Sequence, residues 1–375
     1  MDVARRRRRR RWLALGLALL AGPFFAEGVL RWLLFADVGL ARSLGARYRD
    51  PALFVHDSNA PEYKRIEYLL ASPEARWLAR NPHPVFGWLA DDVDPRTLHH
   101  ADEPRVGERR PVLLYGTSFA RCYALSDCFE ELLENSPAGK DLALLNYATG
   151  GHGLDQALLL FERTIDLHAP LEPIVVLAFV VESDLDRCMT PFFTGPKPYY
   201  RRSADGFELV PPDVLDPAEF VRRHPPAASW FARYLVHGLR LLPETTRRSL
   251  SGTDERTEER RRLWRHLLGR AHEALQERGL AHFVLLFHAE GAAQGLWLHE
   301  DDAELRAFLE ESALPYVDSG NEVRAALDAG ARADELFLLS GPALGHPTER
   351  GMEALFEALL RGLEGRFDNA QPFQR

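Results

Sequence analysis

Four short segments carry residue types able to do acyl chemistry, and each ends an apolar run or opens a helical one. Gly116-Thr117-Ser118 directly follows the run Pro111–Tyr115. A serine at a strand-to-helix turn can point its hydroxyl outward while its own N–H faces the same space. A nucleophile with an oxyanion donor needs that pairing. The same serine is also an ordinary helix N-cap. Asn146-Tyr147-Ala148-Thr149-Gly150-Gly151-His152-Gly153 ends a second run. Its glycines either let backbone approach a ligand and aim an N–H at it, or simply make a flexible turn. Glu182-Ser183-Asp184-Leu185-Asp186-Arg187 ends a third. Ser183 there offers one more short polar donor, unless it serves as a helix cap beside a surface ion pair. Finally, Gly345-His346-Pro347-Thr348 opens a helical pattern that runs on to Gly365. A histidine at a helix N-terminus feels the positive dipole end, which favours the neutral form a general base requires; the plainer role is a polar cap. His152 reads as an exposed loop residue. Glu182, Asp184 and Asp186 have no histidine or carboxylate at ligand spacing, so neither a metal nor a cofactor is expected.

The elements that must position these residues alternate. Pro111–Tyr115, Asp141–Leu145, Pro173–Val181, Ala281–Phe287 and Leu314–Val317 read as five strands, the third central and buried. Between them lie helical patterns, the clearest from Thr253 to a stop at Gly279, with Leu263, Leu267, Ala271 and Leu275 on one face. Strands separated by helices imply right-handed crossovers and a parallel sheet covered on both sides. The expected fold is a three-layer α/β/α, flavodoxin-like domain over residues 111–368, and open sheets of this kind bind ligands at the carboxyl ends of their strands. Residues 189–252 break the rhythm and read as an insertion over the site, with Asp205-Gly206 a hairpin turn and Ser229–Leu242 an amphipathic helix. Residues 36–110 are a lead-in without clear period, and 369–375 a tail.

Composition narrows the function. The 375 residues are 46% hydrophobic and carry a formal charge of −9. Seven Arg and one Asp fall in residues 1–11, so the remainder carries −15 and is a poor binder of nucleic acid. Arg5–Arg11 precedes fifteen uncharged residues, Trp12–Ala26, the pattern of an export signal. Small residues do not stand at both positions a signal peptidase would read, so residues 12–35 are expected to stay as a transmembrane anchor behind a cytoplasmic tail of residues 1–11; the plainer alternative is a basic tail on a surface helix. Glu27 and Arg31, one turn apart, would pair near the far interface. The body would then be periplasmic or otherwise extracytoplasmic. Cys122, Cys128 and Cys188 contain no CxxC pair; Cys122 and Cys128 read as core thiols, with a bridge left open.

Together the four segments resemble the SGNH (GDSL) hydrolase superfamily along residues 111–365. Leu114–Leu133 is similar to its first block, Asn146–Gln156 to its second, Pro173–Arg187 to its third, and His346-Pro347-Thr348 to its fifth. The N-terminal anchor and Phe86-Gly87-Trp88 resemble the membrane-anchored extracytoplasmic members. The resemblance implies a serine esterase or O-acyltransferase acting on acylated envelope glycan or lipid. Ser118 would be the nucleophile and His346 the base, with the N–H groups of Ser118 and Gly151, and Ser183, as oxyanion donors.

Three positions depart from the family's pattern. Thr117 replaces its aspartate beside the nucleophile, and Ser183 replaces the oxyanion asparagine. Ala343 and Leu344 stand where an acid should precede the histidine, a loss that can reach ~10⁴ in rate. Asp318 or Asp334 would fold back as the acid, or a serine–histidine dyad would act without either; Asp318 equally suits the cap of the following helix. The rival reading is a catalytically impaired relative that binds glycan or an envelope protein, and a third is a structural partner of an acyl-transfer machine.

Overall fold

The computed structural model describes residues 2–36, 38–55, 62–71, 81–122, 128–204, 206–226, 229–239, 243, 253–296, 298–340 and 344–367. The chain divides into two units: residues 78–217 with 256–375, and residues 1–77 with 218–255.

The larger unit is built on five strands, β1 (Arg110–Tyr115), β2 (Leu142–Asn146), β3 (Ile174–Val180), β4 (His282–Phe287) and β5 (Tyr316–Asp318). They lie in the order β2-β1-β3-β4-β5, and every pairing is parallel. All the strand expectations hold, with ends shifted by a residue or two. Alternation along each strand divides the apolar side chains between two cores. Leu113, Tyr115, Val175, Leu177, Phe179, Val284 and Leu286 face the helices α2 (Leu154–His168), α3 (Thr253–Glu277) and α4 (Asp302–Glu311). Val112, Leu114, Val176, Ala178 and Leu285 face α1 (Phe129–Glu134), α5 (Gly320–Asp328) and α6 (Glu349–Phe367). Helices therefore cover both faces, as in the three-layer α/β/α architecture expected. A sheet buried on both sides reads as near-continuous apolar runs, as these strands do. Gly279, at φ +66°, ends α3 where the sequence placed its stop.

The segment 189–252 is shared between the two units. Tyr199–Ser203 and Gly206–Val210 form an antiparallel hairpin within the α/β unit, while residues 218–255 join the N-terminal helix, Asp2–Phe35. Leu30 and Leu34 of that helix are buried with Phe54, Ile66, Leu70 and Trp230. The Glu27 carboxylate accepts from Ser229 Oγ at 2.6 Å and from the Phe231 N–H at 2.7 Å, capping the short helix Trp230–Arg233. Glu27 and Arg31 pair at 2.6 Å, as their spacing predicted. Among the described residues no helix is long and apolar enough to cross a membrane. Leu30 and Leu34, near the end of the expected span 12–35, pack against protein.

Candidate active site

Ser118 sits half-buried in the turn that follows β1. The turn is tight because Gly116 lies against β3: a Cβ there would stand 2.8 Å from the Ala178 carbonyl oxygen. Arg121 N–H donates to the Thr117 carbonyl at 3.0 Å, and Asn146 Nδ2 donates to the Ala120 carbonyl at 2.9 Å, fixing the turn to the end of β2. Among the described residues nothing accepts from the Ser118 N–H or its hydroxyl, so both are open to a ligand. A disulfide joins Cys122 to Cys128 just beyond, so these two are not the core thiols expected, whereas Cys188 is free and buried.

His346 reaches the same turn from the opposite end of the chain. Its ring lies 5.3 Å, centroid to centroid, from that of Phe119, the residue after Ser118. The backbone around it is held as a narrow bracket. Leu338 N–H donates to the His346 carbonyl at 2.8 Å, and Gly345 N–H donates to the Leu338 carbonyl at 2.7 Å. Gly345 adopts φ +83° there, a conformation glycine enters at little cost. Thr348, not His346, caps α6, through its hydroxyl and the Gly351 N–H at 3.2 Å. His346 thus stands outside the helix, with its ring against that of Phe119.

The glycine loop after β2 is clamped from behind by the lead-in. Trp88 Nε1 donates to the Gly150 carbonyl at 3.0 Å, and His152 Nε2 donates back to the Trp88 carbonyl at 3.0 Å. Gln156 Nε2 donates to the Phe86 carbonyl at 2.7 Å, and Arg187 donates to the His152 carbonyl at 2.9 Å. Between these anchors Gly151 takes φ +81°, and among the described residues nothing accepts from its N–H. His152 is therefore a buried strut, contrary to the expected exposure, and burial pushes its ring down to about 3, so it stays neutral. No spacing rule pairs Trp88 with Gly150, 62 residues further on, so this clamp was not read from the sequence.

Ser183 and Asp318 are engaged elsewhere. Ser183 Oγ donates to Asp184 Oδ1 at 3.0 Å, so its hydroxyl is turned inward from the expected oxyanion position. Asp318 accepts from His288 Nε2 at 2.9 Å and from the Gly320 N–H at 2.8 Å, and pairs with Arg306 at 2.7 Å. It caps α5 and holds His288, and so does not serve as the acid behind His346. Asp334 is exposed and pairs with Arg332 at 2.7 Å. His288 also donates from Nδ1 to Glu182 Oε1 at 2.8 Å, which gives a buried imidazole between two carboxylates at the ends of β3, β4 and β5. Burial disfavours its charge, but the bonds to Asp318 and Glu182 win and raise it to about 9. Asp318 moves the opposite way: burial opposes ionisation, yet His288 and Arg306 hold it well below the usual carboxylate range. Asp186 pairs with Arg260. A second buried ion pair, Lys197 with Asp155 at 2.6 Å, ties the segment after β3 to the start of α2; Lys197 also donates to the carbonyls of Arg187 and Thr190.

No family model matches the chain, and no curated protein matches it. Solved structures similar to it include the lipase/acylhydrolase from Enterococcus faecalis, at 15% identity over 71% of this chain and 100% of that one, with a TM-score of 0.37. A member of the lipolytic G-D-S-L family from Veillonella parvula is 14% identical over 67% of this chain and 97% of that one, TM-score 0.36. The acetyl xylan esterase AlAXEase is 10% identical over 68% and 99%, TM-score 0.37. The reading of the site rests on this chain's own residues.

Proposed function

We propose that the α/β unit is a serine esterase or O-acyltransferase of the SGNH type, acting on acylated envelope glycan or lipid. One observation supports this: Ser118 follows β1, the loop carrying Gly151 follows its neighbour β2 and bonds back to the Gly116 carbonyl through the Thr149 N–H at 3.1 Å, the His346 ring lies 5.3 Å from that of Phe119, and among the described residues nothing accepts from the N–H of Ser118 or Gly151. Ser118 Oγ attacks the ester carbonyl as His346 takes its proton. The two N–H groups meet the oxyanion, each worth roughly 3 kcal/mol of barrier. Collapse expels the alcohol, protonated by His346, and leaves an acyl-serine that passes to water or to a second hydroxyl.

An extracytoplasmic location is supported by the Cys122–Cys128 disulfide, which oxidising compartments preserve, and by the basic run ahead of Trp12–Ala26. The latter also supports a membrane association of the N-terminal helix.

The test is a purified chain assayed on p-nitrophenyl esters and labelled with a fluorophosphonate. Labelling of the wild type, absent in Ser118→Ala together with ester cleavage, is expected. Equal cleavage by Ser118→Ala would remove Ser118 as nucleophile. The second reading, a binding protein of the same fold, is favoured by the inward Ser183 hydroxyl and by the commitment of Asp318 to His288. It predicts no labelling at all.

A further inference from the structure

β2 is an edge of the five-stranded sheet, with β1 on its one paired side. Pro111 has no N–H, and the Arg110 N–H donates to the Asp141 carbonyl at 2.9 Å, so the register of the two strands fixes which peptides face inward. Ala143 and Leu145 bond to β1, whereas Leu142, Leu144 and Asn146 turn their N–H and C=O groups off the sheet. Both ends of this edge are covered. His100 Nε2 donates to the Asn146 carbonyl at 3.2 Å, and near the amino end Arg109 ties Glu134, at 2.6 Å, to the Gly139 carbonyl, at 3.1 Å. Between them a hollow of about 440 Å³ lies over Ala143, Leu144 and Leu145. Among the described residues nothing bonds to the Leu144 N–H or carbonyl. Proteins ordinarily cover or pair a sheet edge; here the ends are covered and one peptide faces a cavity with its donor and acceptor open.

The walls of the hollow carry Asp102, Glu130, Glu131 and Glu134 against Arg105 and Arg109, a formal −2. Arg105 pairs with Asp102 at 3.1 Å and Arg109 with Glu134, so the surplus falls on the first turn of α1. Glu131 is spent there on the Cys128 N–H at 3.0 Å. Glu130 is not: its Oε2 is buried with no hydrogen-bond partner among the described residues, and burial pushes its carboxyl up. A cation arriving in the hollow would supply what that oxygen lacks. We propose that this edge receives a short extended segment of a partner polypeptide, whose backbone pairs with the Leu144 N–H and carbonyl while a Lys or Arg beside the pairing residue meets Glu130. Strand addition of this kind takes its affinity from main-chain hydrogen bonds and its selectivity from the side chains that flank them. The proposal does not depend on the reading of Ser118.

The probes are two fluorescein-labelled, end-capped hexapeptides, one alternating Lys and Val and one alternating Glu and Val, titrated into the full chain at low salt. Alternation places every charged side chain on one face of an added strand. The Lys-Val peptide should bind at least about tenfold tighter than the Glu-Val peptide, and Glu130→Gln should weaken it by about threefold or more. In the complex, hydrogen exchange at the Leu144 amide should slow, while that of Leu145, already bonded to β1, should change little. Equal binding of the two peptides, binding of neither, or wild-type affinity in Glu130→Gln overturns the proposal. So does Lys-Val binding with Leu144 exchange unchanged, which would show attraction to a chain of formal charge −9 and nothing more. Leu144 exchange that slows with chain concentration in the absence of peptide would give the edge to a second copy of the chain, and overturns it too.

Discussion

Thr117 Oγ1 donates to Asp184 Oδ2 at 2.6 Å beneath the turn that carries Ser118, and both side chains are fully buried. The same carboxylate accepts from the Val180 N–H at 2.7 Å and from Ser183 Oγ, and Arg187 balances its charge at 2.8 Å. The ends of β1 and β3 are thus joined through one carboxylate. Thr117 is here the donor that an aspartate could not be when ionised.

Replacing Thr117 by Val should therefore cost about 1–2 kcal/mol, the loss of one hydrogen bond to a buried charged acceptor. Asp184→Ala strands the Arg187 charge and several donors and should cost about 3–5 kcal/mol. Thr117→Asp sets two carboxylates in contact and should be less stable than Thr117→Val. Urea denaturation of the three variants checks the order. A Thr117→Asp protein as stable as the wild type would show that this bond does not organise the turn.

The imidazole held by Glu182 and Asp318 makes stability depend on pH. Its folded value, about 9, lies above the unfolded value near 6.5. A raised value means the contribution is complete below about pH 6.5 and is lost as pH rises through 9, about 3 kcal/mol in all. Asp318, held low, contributes above its ordinary range and loses that contribution as pH falls. Urea midpoints of the wild type should decline between pH 7 and pH 10. His288→Gln should be less stable at pH 7, because two carboxylates then face each other, and should lack most of that alkaline decline. Parallel declines in the two proteins would assign the slope to other groups.

The layered fold was legible because its strands are buried on both faces and spelled as uninterrupted apolar runs between turn signals. Ser118, Gly151 and His346 were legible for a related reason: each sits beside a strand end or helix start, where local chemistry marks the position. What escaped were interactions between residues far apart in sequence and local in neither period. Trp88 meets Gly150 and His288 meets Asp318 through the tertiary fold alone. Asp318 looked free to swing toward His346, whereas His288, Arg306 and the Gly320 N–H already hold its oxygens. Leu30 and Leu34 were ambiguous for another reason, since an apolar stripe reads alike whether lipid or protein covers it.

The cysteines give a chemical count. With Cys122 and Cys128 bridged, unreduced protein unfolded in guanidinium should show one reactive thiol per chain, that of Cys188, and three after reduction. The bridge closes a short loop, so Cys122→Ser/Cys128→Ser should lose about 2 kcal/mol by the loop-entropy argument. Because the loop begins four residues after Ser118, ester cleavage should fall as well. Three thiols without reductant would refute the bridge and withdraw its support for an oxidising compartment.

The clamp between Trp88 and the glycine loop predicts an effect on rate larger than its effect on stability. Trp88→Phe keeps a buried ring but deletes the indole donor to the Gly150 carbonyl, while the Trp88 backbone carbonyl still accepts from His152. The stability cost should be about 1–2 kcal/mol for a carbonyl left unpaired. The peptide released is the one that aims the Gly151 N–H. An oxyanion donor contributes only when it points where the charge develops, so misaiming forfeits part of roughly 3 kcal/mol. On that basis kcat should fall by about tenfold to a hundredfold with KM little changed, since the interaction lost belongs to the transition state. Steady-state kinetics on one ester, read beside a urea melt of the same preparation, separates this from general unfolding. A Trp88→Phe protein with wild-type kcat would mean that Gly151 keeps its aim without the indole, or that its N–H is not the donor.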